Sequence, residues 1–334
     1  MRTIYNECTD PYFNLACEQF LAENYDGEDV FMLWRNGPSV IIGKNQNTWA
    51  EINEDYVKEK GITVARRLTG GGAVFHDLGN VNFSFLSGPT GDTRLNFEKF
   101  GLPVASALRK MGINAVLDGR NDITADGFKI SGNAQCVMRS RSGSTVVLHH
   151  GTLLFSVDPA ALAGALRVNE KKIAAKGIKS VRSRVKNISE FDSYIGERTP
   201  EGFMAALFSH LSGGVPGGFS DGEIAEIKKI RDEKFARWEW NYGKSPPFEV
   251  FREERFPFGM LSVMISSEEG RIKDIHFFGD FFGTRDKGEL EKLFVGLPFE
   301  REAVTKKLSF SADTVGEVIS GAAACDIVNL IFNN

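Results

Sequence analysis

The sequence predicts an α+β protein: a catalytic-sized unit built on a mixed or antiparallel sheet, followed by a smaller α+β unit. Three observations carry this. Short apolar or alternating runs recur between Gly, Asn and Asp residues, helical stripes are interspersed with them without strict strand–helix alternation, and the texture changes at a double proline near residue 246. The 334 residues, 42% hydrophobic and 25% charged, are enough for two cores.

The first element is a helix. Asp10-Pro11 places a capping residue before a proline at the first helical position, and Phe13, Ala16, Cys17, Phe20 and Leu21 follow as an i, i+3, i+4, i+7, i+8 stripe. Cys17 is therefore a core residue. Strands are predicted at Val30 to Trp34, Val40 to Ile42, Ile62 to Ala65, Ala73 to Phe75, around Val81, Phe83 and Phe85, and at Val146 to Phe155. Helices are predicted at Phe97 to Met111, Pro159 to Leu166, Pro200 to Leu211 and Glu223 to Trp238. Without βαβ alternation a doubly wound dinucleotide fold is disfavoured. The stretch WEWNYGKSPP (238–247) suits a boundary, and beyond it lie a strand in FEVFREERF, a hairpin in LSVMISSEEGRIKDIHFFG and two or three helices. The predicted division is 1–245 and 246–334.

Charge and cysteine usage narrow the function classes. A net charge of −4 argues against a protein that holds nucleic acid by bulk electrostatics. MRTIYNECTDPYF has no apolar signal region, and no run of about 18 apolar residues occurs, so a cytoplasmic protein without membrane attachment is expected. Cys8, Cys17, Cys136 and Cys325 are scattered, which suggests reduced thiols and neither a disulfide framework nor a zinc site. There is no internal repeat, and nothing demands an obligate oligomer, so a monomer is expected.

Chemistry concentrates in ARRLTGGGAVFHD (65–77). Three glycines let the backbone adopt positive φ, lie close to a ligand and point N–H groups at anionic oxygens, while Arg66 and Arg67 offer charge-assisted hydrogen bonds to carboxylate or phosphate. The glycines alone leave a plain hairpin with solvated arginines open as the alternative. The spacing matches neither a Rossmann turn nor a P-loop. A second group comprises Gly119-Arg-Asn-Asp122, Phe128-Lys-Ile-Ser-Gly-Asn-Ala-Gln135 and Leu148-His-His-Gly-Thr-Leu153. Lys129, in a short strand-like segment, is a positioned cation or a solvated lysine; Asn121 and Asp122 are oxygen ligands for Mg²⁺ beside substrate phosphates, or a turn. His149 and His150 are adjacent on a strand, so only one of them lines a pocket.

RRLTGGGAVFHD, KISGNAQ, HHGTLL and KGIKSVRSRVKN, in this order and at these separations, resemble a bacterial lipoate–protein ligase. The resemblance covers the first unit nearly end to end, and the C-terminal segment is similar to that family's accessory domain. It implies the biotin/lipoate ligase fold, which is class II synthetase-like. It also implies ATP- and Mg²⁺-dependent activation of lipoate to lipoyl-AMP, then transfer to a lysine of a lipoyl domain of a 2-oxoacid dehydrogenase E2 subunit or of the glycine-cleavage H protein. Carried over by motif, Arg67 and Gly72-Ala73-Val74-Phe75 contact the nucleotide, Lys129 contacts both lipoate and the α-phosphate, and Ser180 and Arg182 belong to a loop, Lys176 to Arg184, that closes over the adenylate. Gly71, Gly72, His149 and Trp34 are placed by the same resemblance at the lipoate. Trp34, Phe75 and Phe83 are candidate walls for the acyl tail, or core aromatics. The basic segment KKIAAKGIKSVRSRVKN (171–187) is expected to steer an acidic carrier, with a solvated charged loop as the alternative.

Two rival readings stand beside this one. An octanoyltransferase of the same superfamily needs a thiol next to the lysine. Cys136 is the nearest in sequence, yet Val116 to Asp122, where such a cysteine is expected, has none. A non-catalytic lipoate-binding or scaffold protein is the other, and Arg67, the three glycines and Lys129 together argue against it. The glycine-rich loop of biotin ligases reads differently.

Overall fold

Ten strands precede residue 155 in the computed structural model, which describes residues 1–89, 95–119, 121–166, 185–213, 215–242, 250–268 and 270–332, with only the backbone of Trp49. They are β1 (Arg2–Asn6), β2 (Val30–Arg35), β3 (Ser39–Ile42), β4 (Thr63–Arg66), β5 (Val74–His76), β6 (Asn80–Ser87), β7 (Ala115–Asp118), β8 (Asp122–Ala125), β9 (Phe128–Arg139) and β10 (Thr145–Leu154). Seven form one sheet in the order β1-β2-β6-β10-β9-β8-β7, and three form a second in the order β4-β3-β5. Only β1–β2 and β3–β4 are parallel pairs. The fold is mixed α+β, as the interspersed pattern predicts.

Each face of the large sheet meets its own helices. The helix Pro11–Glu23, capped by the Asp10 carboxylate on the Tyr12 N–H, buries Phe13, Cys17, Phe20 and Leu21 against Met32, Trp34 and Leu148 on one face. The helices Phe97–Lys110 and Pro200–Ser212 cover the other face, where Phe31, Phe83, Leu108 and Phe203 interlock. At roughly 25 cal/mol per Å² of apolar surface removed from water, these two clusters are the main drive for assembling the sheet.

Three features differ from the sequence reading. The Lys129 segment is not short: β9 runs twelve residues and is joined to β8 by the two-residue turn Asp126-Gly127, both at positive φ. That Asp-Gly pair, flanked by alternating residues, is a hairpin signal that marks β8 and β9. The stretch predicted as one helix from Glu223 to Trp238 is instead the helix Asp221–Ile230, a π-helical turn Arg231–Phe235 and a short helix Trp238–Asn241. The Arg231–Asp10 ion pair at 2.6 Å holds the wide turn to the first helix, and Phe235 is fully buried. Finally β1, at the sheet edge, and the short helices Thr48–Glu51 and Glu54–Glu59 have no counterpart in the sequence reading.

Residues 250–332 contain β11 (Val250–Phe256), β12 (Gly259–Glu268) and β13 (Arg271–Gly279) as an antiparallel sheet, backed by four helices between Lys287 and Phe332. Phe277, Phe281, Phe294, Val315 and Ile327 fill a core of their own. This C-terminal unit touches the first through the Lys44–Asp286 ion pair at 2.8 Å and through the Gly279 N–H, which donates to the Asn45 carbonyl at 2.9 Å. The connection at 243–247 and most of the basic segment, including Lys171, Lys172, Ser180 and Arg182, lie outside the described residues. Among the described residues no helix is long and apolar enough to cross a membrane.

Arg66 ties distant parts of the first unit together. Buried, it donates to the carbonyls of Gly43, Gln46, Trp240 and Asn241 and to the Thr48 hydroxyl, at 2.6 to 3.0 Å. Replacing it leaves several buried acceptors unpaired. Arg66→Met is expected to lower the stability of this unit by about 3 kcal/mol or more. All four tryptophans precede residue 245, so urea unfolding followed by tryptophan fluorescence reads this unit alone. An unchanged midpoint would falsify the keystone role.

Candidate active site

A cleft opens where the two sheets meet. Its apolar floor comes from Leu15, Trp34, Ile41, Val74 and Ala134; its polar wall comes from Asn82, Asn121, Lys129, Asn133, His150 and Thr152; the bare backbone of Gly71 and Gly72 forms a rim, and Phe282 of the C-terminal unit completes it.

The glycine loop is built from below by Arg67. Its guanidinium, buried and pulled down to about 10 by desolvation, is still charged at neutral pH, and it donates to the Thr69 hydroxyl and to the carbonyls of Ile41, Gly70 and Gly72 at 2.6 to 3.1 Å. It lines the cleft, but these donors are spent on its own loop and on the neighbouring strand β3. Two of the three glycines also answer to packing. A Cβ on Gly70 would stand 2.2 Å from the Phe281 carbonyl oxygen; Gly71, at φ +91°, would place one 2.9 Å from the Arg67 guanidinium and 3.2 Å from the Phe282 ring. Nothing lies within 4 Å of a Cβ on Gly72, which faces the open cleft. The loop is therefore bare partly because it is gripped from both sides.

A buried polar chain fixes the floor. The Ser84 hydroxyl donates to Glu18 Oε1 at 2.6 Å and accepts from Trp34 Nε1 at 2.8 Å. The same Glu18 oxygen lies 2.8 Å from His150 Nδ1, and His150 Nε2 lies 2.7 Å from the Thr69 hydroxyl that accepts from Arg67 Nε. The end groups set the direction. Arg67 only donates and the carboxylate only accepts, so a neutral imidazole protonated on Nδ1 satisfies every link. Glu18 is fully buried, and the chain joins its charge to that of Arg67.

Lys129 sits near the cleft mouth on β9, with Nζ 2.7 Å from Asp122 Oδ1 on β8. Asn121 and Asn133 clasp each other through reciprocal amide-to-carbonyl bonds at 2.7 and 3.0 Å. Among the described residues no cluster of three or more His, Cys, Asp or Glu side chains is arranged to hold a metal ion. One carboxylate and one amide suit only an ion carried mainly by substrate phosphates, which is how Mg²⁺ is commonly held.

Three predicted contacts are placed elsewhere. His149 does not reach the cleft: it is stacked between Phe83 and Phe100 on the far face, and its ring bonds Gln135 and Asn133. Strand alternation gives the cleft to His150, the other member of the pair. Phe75 packs beneath the small sheet with Val40 and Val64, and Phe83 belongs to the far core. Trp34, Gly71, Gly72, Ala73, Val74 and Lys129 do line the cleft together with Arg67 and Asn121. Cys136 is not among the lining residues, and burial pushes its thiol up to about 12. Glu18, Thr69, His76, Asn82 and Phe282 escaped the sequence reading. A signal existed for the first of these, since Asn14 and Glu18 fall one helical turn apart inside the buried stripe of Pro11–Glu23.

Comparison with known proteins follows the same lines. The family model described as lipoyl protein ligase A/B catalytic domain matches residues 10–212, and that described as bacterial lipoate protein ligase C-terminus matches residues 245–331. The fold and cleft thus define a ligase class, and the chain belongs to the bacterial lipoate–protein ligases, a family of enzymes that attach lipoate to proteins. It is 45% identical over 306 residues, 90% of each chain, to lipoate-protein ligase LplJ of Bacillus subtilis. Among solved structures it is similar to P. falciparum LipL1 in complex with lipoate, at TM-score 0.76 and 30% identity over 92% of this chain and 94% of that one. It is also similar to a lipoate-protein ligase A bound with ATP, at TM-score 0.61 and 28% identity over 72% and 98%. A bi-partite lipoate protein ligase from Thermoplasma acidophilum, determined with its E2 lipoyl domain, matches at TM-score 0.61 and 28% identity over 75% and 98%.

The buried chain makes Glu18 a positioning residue. Glu18→Ala strands the Ser84 and His150 donors, at about 1–3 kcal/mol each, and is expected to lower kcat/KM for lipoate roughly tenfold or more, chiefly through KM. Glu18→Gln, which keeps an acceptor, should recover part of the loss; an unchanged KM in the alanine variant refutes the role. The histidines set a pH dependence. Burial, with Arg67 and His150 nearby, pulls His76 down to about 3, and burial likewise holds His149 well below the ordinary imidazole range. Below about pH 6.5 the unfolded chain therefore binds protons that the folded one does not, and stability falls as pH falls, by up to about 1.4 kcal/mol per pH unit for each histidine. The tryptophan-monitored urea midpoint should drop from pH 7 to 5.5. A flat profile would contradict this.

Proposed function

We propose that this ligase activates lipoate with ATP and then transfers the lipoyl group to an acceptor lysine. The observation that carries the proposal is a cleft with an apolar floor of Leu15, Trp34 and Ile41, a cationic Lys129 at its mouth and an unencumbered Gly72 backbone beside it. An aliphatic acid fits with its tail on the floor and its carboxylate at Lys129. In the first step a carboxylate oxygen of lipoate attacks the α-phosphorus of ATP, the bond to the bridging oxygen breaks, and pyrophosphate leaves. Two anions meet there, and Lys129 and the backbone donors of the Gly72–Val74 rim stabilise the charge that develops. In the second step the acceptor amine attacks the acyl carbon, AMP leaves, and the amine loses its proton. No side-chain nucleophile is needed.

Asn121 and Asp122 would hold Mg²⁺ jointly with the nucleotide phosphates; when bound, the ion neutralises phosphate charge. Gly71, Gly72 and Trp34 are assigned to lipoate, with Arg67 acting from beneath the loop. Ser180 and Arg182 remain assigned to the adenylate by motif alone. The acceptor is a lipoyl domain of an E2 subunit or the glycine-cleavage H protein; the relative determined with its E2 lipoyl domain supports this class. A cytoplasmic monomer divided at residues 245 and 246 completes the reading. A thioester-forming transferase is disfavoured by Cys136, which is half-buried, is not among the residues lining the cleft and has its thiol pushed up to about 12 by desolvation.

The test is lipoate-dependent exchange of labelled pyrophosphate into ATP by the purified protein and by Lys129→Ala. Exchange that requires lipoate and falls at least about a hundredfold in the variant is expected for a residue that stabilises the transition-state charge. Octanoyl transfer from a carrier thioester, without exchange, would replace the ligase mechanism with that of a transferase.

A further inference from the structure

We propose that His76 and Asn82 give the acyl pocket a hydrogen-bond-donating end, which selects an acid whose tail carries an acceptor atom, such as a dithiolane sulfur, over a plain hydrocarbon tail. This rests on the reading above that an aliphatic acid lies in the cleft with its carboxylate at Lys129.

Sheet register gives the pocket its direction. Lys129 Nζ stands 3.2 Å from the point where a Cβ on Gly132 would lie. The Gly132 N–H donates to the Thr152 hydroxyl at 3.2 Å; Thr152 lies opposite Asn82 on β6, and Asn82 lies opposite Trp34 on β2. Cross-strand neighbours share a face, so one row runs from the cation to the indole over β9, β10, β6 and β2, at about 4.8 Å per strand. An extended acid held at Lys129 ends on Asn82, Trp34 and His76, whose ring meets the indole edge to face at 6.5 Å.

Most polar groups at that end are already committed. Trp34 Nε1 is bonded to Ser84, and the two His150 nitrogens to Glu18 and Thr69. Among the described residues, the only cleft-lining side chains with a buried polar atom left unpaired are His76, at Nε2, and Asn82, at Nδ2. The two residues are 3% and 2% exposed, so water does not freely serve either atom. The network around His76 fixes its tautomer. Asn14 Nδ2 faces the carbonyls of Cys8 and Arg35 at 2.8 Å, which makes it the donor to Asn36 Oδ1; Asn36 Nδ2 then donates to His76 Nδ1 at 3.1 Å. Burial keeps the ring neutral, and a neutral imidazole that accepts on Nδ1 carries its proton on Nε2. Asn82 Oδ1 accepts from Asn80 Nδ2 at 2.8 Å, which leaves the Asn82 amide hydrogens to donate.

Leu15, Ile41 and Trp34 offer the same apolar contact to any eight-carbon chain. Discrimination therefore falls to the two donors. A sulfur is a weak acceptor, yet it pairs them in part, whereas a methyl end leaves both desolvated and unpaired.

The experiment titrates lipoate, octanoate and 5-cyclopentylpentanoate, in which CH2 groups replace both sulfurs, into the full-length native protein, Asn82→Leu and His76→Phe by calorimetry, with pyrophosphate exchange run alongside. The native protein is expected to bind lipoate about tenfold tighter than either other acid, although the cyclopentyl acid is the more apolar, and the gap should close to about twofold in each variant. A merely structural defect weakens all three acids alike. Equal binding of lipoate and the cyclopentyl acid by the native protein overturns the proposal, as does a tenfold gap that persists in both variants. Should the variants fail to fold, the native comparison decides. Failure of every acid to bind overturns the proposal together with the placement of an acid in the cleft. Selective binding without exchange sinks the adenylate reading alone and leaves the recognition standing, so the two failures are told apart.

Discussion

Everything around the cleft depends on the burial of two consecutive guanidinium groups. Arg66 and Arg67 are each satisfied by carbonyls and hydroxyls, and among the described residues no carboxylate is hydrogen-bonded to either. A desolvated charge of this kind persists only when its donors are nearly all used, so the backbone around it must be held in one shape. Alternation along the chain sends the two in different directions. Arg66 gathers residues 43–48 and 240–241, and Arg67 gathers the glycine loop.

The second dependence is on sheet register. His150 lies opposite Ser84 on β6, Trp34 lies opposite Asn82, and Glu18 reaches the same spot from the helix above. A slip of one residue in β10 would exchange His150 for His149, taking the ring that bonds Glu18 and Thr69 to the other face. The large apolar clusters on both sides make such a slip expensive, so the core that stabilises the sheet also specifies the floor of the cleft.

Local signals in the sequence were sufficient for most elements: capping plus stripe for Pro11–Glu23, short apolar runs for β2 and β10, alternation at Val81, Phe83 and Phe85 for β6, and the glycine-rich turn for the cleft rim. Non-local facts were not legible. Which of His149 and His150 faces the cleft depends on the register of β10 against β6 and β9, and two adjacent histidines look alike in a one-dimensional pattern. The spacing of Asn14 and Glu18 hints at a buried polar pair, but the partners of Glu18 are unreadable for a related reason. A carboxylate inside an apolar stripe gains a partner only through residues 84 and 150, more than sixty positions away. The three glycines mark a close approach, but what approaches two of them is the chain's own Phe281 and Phe282 as well as Arg67.

The site divides its positive charge between two kinds of residue. Arg67 is buried and committed to its loop, so moving it would strand the carbonyls it binds; it shapes the field without taking part in exchange of partners. Lys129 is different: its side chain is 39% exposed and that of Asp122 34%, on a tight hairpin that holds both near the cleft mouth. An ion pair so open to water contributes little stability, which makes Asp122 a partner that an incoming carboxylate or phosphate oxygen can displace at small cost. The fixed charge thus belongs where the backbone must be held, and the exchangeable charge belongs where the reacting anions arrive.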